Sequence, residues 1–200
     1  MKPAPRQPRK RNRDATHQRL LEAAARIFNR DGFDGTDSNR LARAAGYAPG
    51  TFYLHFADKR ACFLQVYERW VDTEWLELAR ALDGGGPPPE LARRVVDVVL
   101  ALHKKWRGLR GALRSLVATD AEVRRFQRGE RKRQLGLLAD LRRRHATSAP
   151  RNRAEDTLLL LAMERTADAL ADGEAAALDL PESQLRAALY RLMLEHITPR

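Results

Sequence analysis

Apolar residues recur every three or four positions along almost the whole chain, and nowhere do they alternate with polar ones over a sustained stretch. That period predicts helices and no sheet. Leu20, Leu21, Ala24, Ile27 and Phe28 give the segment over about 14–31 one apolar face, and Gly32 follows as its stop. A short second helix over about 37–44 has Thr36 or Asp37 as its N-cap and turns Leu41 and Ala45 inward. Gly46 marks a turn. A third helix begins near Ala48 with Pro49 at its first position, where a missing N–H costs nothing. Asp58 caps a fourth helix over about 59–82, which the run from Gly84 to Pro89 ends. Further helices are predicted near 90–106, 109–118, 121–146, 153–172 and 182–197. Their stops are Gly108, the Thr119-Asp120 cap, the Ser148-Ala149-Pro150 break and the stretch from Gly173 to Pro181. The expected fold is all-α, about nine helices, with a small three-helix N-terminal domain.

Charge adds a partner to this picture. Among 200 residues, 37 are Lys or Arg and 26 Asp or Glu, a formal net charge of +11. Such an excess attracts polyanions, either nucleic acid or an anionic membrane. Residues 1–60 hold 13 basic and 6 acidic residues, net +7, and residues 61–200 only +4. Residues 1–13 are rich in basic side chains, Arg9, Lys10, Arg11 and Arg13 among them, with three prolines and no acid. They read as a disordered arm, equally a solubilising tail or an arm able to follow phosphates or enter a minor groove. The longest apolar run, Leu158 to Met163, is far short of the roughly 20 residues a spanning helix needs. The N-terminus also lacks the apolar stretch of a signal peptide. A cytoplasmic location and no membrane partner are therefore expected. Cys62, the one cysteine, excludes an intramolecular disulfide and a cysteine-ligated zinc finger and is expected to pack as a small hydrophobe.

Two short helices around a glycine turn are helix-turn-helix geometry. Around them run Arg19-Leu20-Leu21-Glu22-Ala23-Ala24, Phe28, Gly32-Phe33, Thr36, Leu41-Ala42 and Ala45-Gly46. Gly50-Thr51-Phe52-Tyr53-Leu54-His55-Phe56 and Asp58-Lys59 follow. In order and spacing, residues 18–66 resemble the N-terminal DNA-binding domain of the TetR family of bacterial regulators. In a recognition helix Pro49 and Gly50 permit close approach to DNA, and Thr51 can donate to a phosphate or touch a thymine methyl. Tyr53 and His55 can reach backbone or base edges, Lys59 is placed for a phosphate, and Phe52 and Phe56 pack inward. The resemblance sets Thr36, Ser38 and Asn39 beside the DNA. The sequence departs from the family pattern at Asp37, where Thr or Ser is common, at Ser38, usually apolar, and at Ala48, usually Ser or Thr. Pro49 also replaces a polar side chain that often contacts DNA.

The resemblance further implies a DNA-binding domain over 14–60 and a ligand-binding and dimerisation domain over 61–200. It implies a homodimer on a palindromic double-stranded operator, joined through the last two long helices. Leu159, Met163, Thr166 and Leu170 share one face of the first of these, and Leu185, Leu189, Leu192 and His196 one face of the second. By pattern alone, these stripes suit an intramolecular core equally well. A small-molecule effector with apolar parts is expected among the middle helices, with Trp70, Trp75, His103, Trp106, Phe126 and Met163 as candidate lining, although taken singly most of these side chains read as ordinary core. The basic run Arg124, Arg125, Arg128, Arg131, Lys132 and Arg133 reads as a solvated face.

No other chemistry competes strongly. The five histidines are scattered, with none at metal-binding helical spacing, and no phosphate loop or nucleophile motif occurs. No metal, cofactor or enzymatic activity is expected. The reading is a dimeric regulator, in its simplest form a repressor released by its effector. Two alternatives stand beside it: a ligand-independent nucleoid-type DNA-binding protein, and a helical ligand-binding module with a degenerate DNA-binding domain.

Overall fold

A computed structural model describes residues 8–145 and 152–198. The Ser148-Ala149-Pro150 break and the first seven residues of the expected arm lie outside the described residues. The described elements are α1 (Pro8–Asp31), α2 (Ser38–Ala44), α3 (Pro49–Tyr53), α4 (Lys59–Asp83), α5 (Pro88–Lys105), α6 (Arg107–Thr119), α7 (Ala121–His145), α8 (Arg153–Asp172), α9 (Glu174–Ala177) and α10 (Glu182–Ile197). The class is all-α as expected, with ten helices among the described residues. The additional one, α9, is a single turn, too short to leave a periodic signature.

The chain divides into two compact units, Met1–Trp70 and Val71–Arg200. The division falls inside α4, ten residues beyond the expected boundary. The reason is aromatic packing. Phe63 of α4 meets Phe28 and Phe33 edge-on at 5.2 and 5.4 Å between ring centres, and Cys62 and Val66 beside it are buried. The first half of α4 thus completes the core that Leu20, Ala24, Phe28, Leu41 and Phe52 begin. A second correction concerns the arm. α1 reaches back to Pro8, so positions 9–11 and Arg13 are helical rather than extended. Pro8 suits a first helical position, and the Arg and Lys that follow are good helix formers.

In the second unit α5 lies against α8 and α10, with α6 and α7 also packed on α8. Leu91, Val95, Leu100, Leu159, Met163, Ala167, Leu189 and Met193 form its core. The proline run both ends the preceding helix and opens α5, with Pro87 as N-cap and Pro88 at the first position. Asn152 caps α8 by accepting from the amides of Ala154 and Glu155, and Gly173 closes it with φ +79°. No described helix is long and apolar enough to cross a membrane.

Candidate nucleic-acid interface and ligand cavity

The turn between α2 and α3 is built by the backbone. The amide of Tyr47 donates to Ala42 O (3.0 Å) and that of Gly46 to Arg43 O (3.0 Å), with Gly46 at φ +82°. This is the paired C-terminal motif that a left-handed residue closes, and glycine adopts that conformation without strain. Asp37 caps α2 by accepting from Arg40 N at 2.9 Å, and so holds the start of that helix. Ala48 gives α3 no side-chain cap, and Pro49 opens it. Arg40 reaches back to Asp31 (2.6 Å) and Gly35 O (2.7 Å), tying α2 to the end of α1.

α3 is five residues long and could not persist alone. Phe52 is fully buried and packs on Phe56 at 5.1 Å. Arg13 of α1 donates to Leu54 O at the far end of α3 (3.3 Å), a favourable place for a cation. What remains outward is the proposed reading surface. Tyr53 is 57 % exposed, Gly50 and Asn39 are exposed, and Ser38, Pro49, Thr51 and His55 are half-buried. A Cβ added at Gly50 would meet nothing within 4 Å. His55 stands 5.5 Å from the His17 ring, and His17 stacks on Phe56. Burial first, then His17 and Arg13, push the His55 imidazole below its ordinary value, which favours the neutral ring.

Two expected contacts have other geometry. Thr36 is only 7 % exposed, so its side chain faces inward rather than toward solvent. The Lys59 ammonium donates to Phe33 O (2.8 Å) and Thr36 O (2.9 Å) and sits 4.0 Å from the centre of the Phe33 ring. It holds the turn after α1 instead of standing clear for a phosphate. Sequence reasoning missed Arg40, Tyr47 and the capping use of Arg13, because each acts across a turn that no local pattern records.

The second unit contains a cavity of about 860 Å³, counting its open mouth, walled by Trp75, Leu82, Leu91, Val95, Met163 and Met193 among others. A smaller polar compartment shares Trp75, Leu78, Val99, Leu160 and Met163 with it and adds Glu74, His103, Arg110, Gln134 and Glu164. Of the expected pocket residues Trp75, His103 and Met163 line these spaces. Trp70 instead packs on Tyr67 in the first unit, Trp106 sits at the α5–α6 joint, and Phe126 lines neither space. A large side chain at helical spacing does not reveal which way its helix is turned.

Beside the polar compartment, His103 Nδ1 donates to Asp168 (2.8 Å), and Arg110 Nε donates to the same oxygen (2.7 Å). Arg114 takes the other Asp168 oxygen at 2.7 Å. Burial alone would raise the Asp168 carboxyl. The His103 bond and the Arg110 charge overcome it and hold that carboxyl far below the carboxylate range. For His103 burial wins over the pull of Asp168 and keeps the imidazole below its usual value.

The two expected dimer stripes divide differently. Leu159, Met163 and Leu189 lie in the unit's own core, and His196 is buried against Asp156 at 3.1 Å. Leu170 packs on that core, and Thr166 and Leu185 are half-buried. Outward stand Leu158 (69 % exposed), Leu161 and Leu192 (37 %). Four consecutive leucines give α8 apolar residues on more than one face, so periodicity alone could not choose the inner one. In the basic run, Arg131 pairs with Glu164, Arg133 with Asp72 and Glu130, and Arg124 caps Val117 O and Ala118 O. Half of it therefore serves the fold.

Residues 20–66 match the family model for bacterial regulatory proteins of the tetR family. The HTH-type transcriptional regulator AcrR of Shigella flexneri is 36 % identical over 59 residues, 30 % of this chain and 27 % of that protein. An HTH-type transcriptional regulator of Staphylococcus aureus is 36 % identical over 83 residues, 42 % of this chain and 45 % of its own length. The chain thus spans less than half the length of these curated relatives. Over the whole fold, a TetR-like transcriptional regulator from Rhodococcus superimposes with a TM-score of 0.65 at 25 % identity, covering 97 % of this chain and 98 % of that one. A transcriptional regulator from Saccharomonospora viridis, solved in complex with choline, gives 0.73 at 18 % identity, over 90 % and 96 %. Local capping, the glycine turn and the aromatic core agree with these matches: over residues 20–66 the chain carries the helix-turn-helix domain of the tetR family of bacterial regulatory proteins.

Proposed function

We propose that this protein is a DNA-binding transcriptional regulator, a homodimer on a palindromic operator, released from it by a small molecule held in the second unit. The observation that carries the reading is the outward face of α3. Its first turn offers Gly50 with open space above it and Thr51, and Tyr53 is exposed while its neighbours Phe52 and Phe56 are buried. A helix start free of side-chain obstruction, beside the start of α2, is the geometry that enters a major groove. Phosphate contacts then supply most of the affinity, and base edges the choice of sequence. Asn39, Thr51, Tyr53 and His55 are assigned to these contacts, with Ser38, Pro49 and Gly50 shaping the approach.

The small molecule acts by preferring a subunit arrangement whose two recognition helices no longer fit successive grooves. Such coupling is reciprocal, so operator DNA must weaken ligand binding by the same factor. The deciding measurement is fluorescence anisotropy at about 0.15 M salt, with the DNA upstream of the protein's own gene against a random duplex. A preference of at least a thousandfold is expected. Equal binding would make it a nucleoid-type protein, and no binding to either would leave a ligand-binding module with a degenerate helix-turn-helix.

A further inference from the structure

Residues 61–200 have a net charge of +4, and α7 alone exceeds it, with nine Lys or Arg against three Asp or Glu. The rest of that stretch is net acidic, so its positive charge is concentrated on one helix. Arg124, Arg131 and Arg133 are engaged within the fold. Arg125, Arg128 and Lys132 are exposed, and none of them makes an ion pair or hydrogen bond to a described residue. At 3.6 residues per turn they share an arc of about 100° with Gly129 and Gly136. Both glycines are exposed, and a Cβ added at either would meet nothing within 4 Å. Glycine is disfavoured inside a helix. Neither has a positive φ or a close packing contact to account for it. Set between cations, they leave the helix backbone open along about 16 Å of a positive face.

Such a face attracts a polyanion, and its chemistry selects which kind. A helix that docks on a membrane surface inserts bulky apolar side chains, and a protein interface is built around an apolar core. No described residue of α7 exposes a large apolar side chain, and Val123 and Leu135 are buried. A phosphate backbone asks only for cations and access. We propose that the outward face of α7 is a second, sequence-independent contact for duplex DNA, separate from the helix-turn-helix. Arg125, Arg128 and Lys132 neutralise phosphates there, and Gly129 and Gly136 let the strand lie close to the helix. No side chain on this arc reads a base edge, so the contact adds affinity without choosing sequence.

The test uses the full chain carrying Gly50→Glu and Tyr53→Glu, at two exposed positions of α3. These carboxylates repel DNA from the helix-turn-helix, so the outcome does not depend on the operator reading. A random duplex of about 30 base pairs is titrated by fluorescence anisotropy between about 50 and 200 mM salt. Binding is expected to persist. Adding Arg125→Gln, Arg128→Gln and Lys132→Gln should make the slope of log affinity against log salt shallower by about two to three, roughly one per lost contact. The same charge removed elsewhere, by Arg80→Gln, Arg93→Gln and Lys104→Gln at exposed positions of α4 and α5, should change it by less than about one. Gly129→Gln with Gly136→Gln keeps every charge and puts a better helix former at each site. The melting temperature should hold or rise while duplex affinity falls at least about fivefold. Loss of all duplex binding in the α3 variant overturns the proposal, as does a slope untouched by the α7 substitutions. An equal effect of the control substitutions, or affinity indifferent to the glycine changes, does so too. Competition by polyglutamate or phosphatidylglycerol vesicles as strong as that by DNA would give the face to an acidic protein or a membrane instead. Operator preference in the unaltered chain decides the regulator reading by itself, and either proposal can fail without the other.

Discussion

Lys59 and Gly50 lie nine residues apart in the same motif, and the structure gives them opposite kinds of importance. The Lys59 ammonium satisfies two carbonyls and covers the Phe33 ring, and hydrogen bonds to a charged donor contribute about 1.5–3 kcal/mol. Lys59→Met keeps the aliphatic stem and loses those bonds. It is expected to lower unfolding stability in urea by about 1–3 kcal/mol while leaving the salt dependence of DNA affinity unchanged. A lost phosphate contact would instead reduce that slope by about one. Gly50 shows the converse. Its φ is not in the left-handed region and nothing lies within 4 Å of an added Cβ, so Gly50→Ala should leave the melting temperature unchanged or slightly raised. The same methyl would stand between α3 and the duplex, and operator affinity is expected to fall about tenfold, within the roughly 1–3 kcal/mol that one spoiled contact costs. Unchanged affinity would take Gly50 off the interface. Cys62 has no comparable role: burial pushes its thiol up to about 12, so at neutral pH it is an inert packing group.

Helices α5, α6 and α8 are joined by a buried charge network, and its titration belongs to all three. His103 lies on α5, Arg110 and Arg114 on α6, and Asp168 on α8. His103 has a folded pKa below its ordinary 6.5, so as the pH falls the unfolded chain takes up a proton before the folded one. Its stabilisation is present above about 6.5 and is lost as the pH drops below that value. Asp168 is depressed below its ordinary 3.8; its stabilisation is present above 3.8 and declines as the pH falls toward the folded value. Calorimetry should find a melting temperature that is flat above about pH 7, declines from about pH 6.5 and falls more steeply below about pH 4. His103→Asn should remove the upper part of the decline. A melting temperature that rises between pH 7 and pH 5 would contradict a neutral, buried His103.

At the scale of the whole molecule, the proposed dimer turns on which leucines of α8 and α10 stand outward. Leu158 and Leu161 of α8 and Leu192 of α10 are exposed, while the stripe first expected to pair two chains is largely inside one. If the homodimer proposed above uses these helices, a charge at the outward positions must break it and a fold-neutral control must not. The double substitution Leu158→Glu and Leu192→Glu is expected to keep the helical circular dichroism spectrum, convert the dimer to monomer in sedimentation, and weaken operator binding at least a hundredfold through loss of the second half-site. A dimer that survives would move the interface to another surface.

The sequence by itself determined the helices, most of their ends and the helix-turn-helix. Capping residues, stop glycines and the 3.6-residue period act between near neighbours, and a motif compressed into residues 18–66 carries its own geometry. Only the tertiary structure decided what depends on how distant helices face one another. It turned Thr36 inward and tied Lys59 to a turn 23 residues away. It joined Arg110 to Asp168 across 58 positions, and it selected which leucines of α8 enter the core. A period can say that a helix has an apolar face, but the partner that covers this face, and the charge that meets another across the core, are set by packing between segments far apart in the chain.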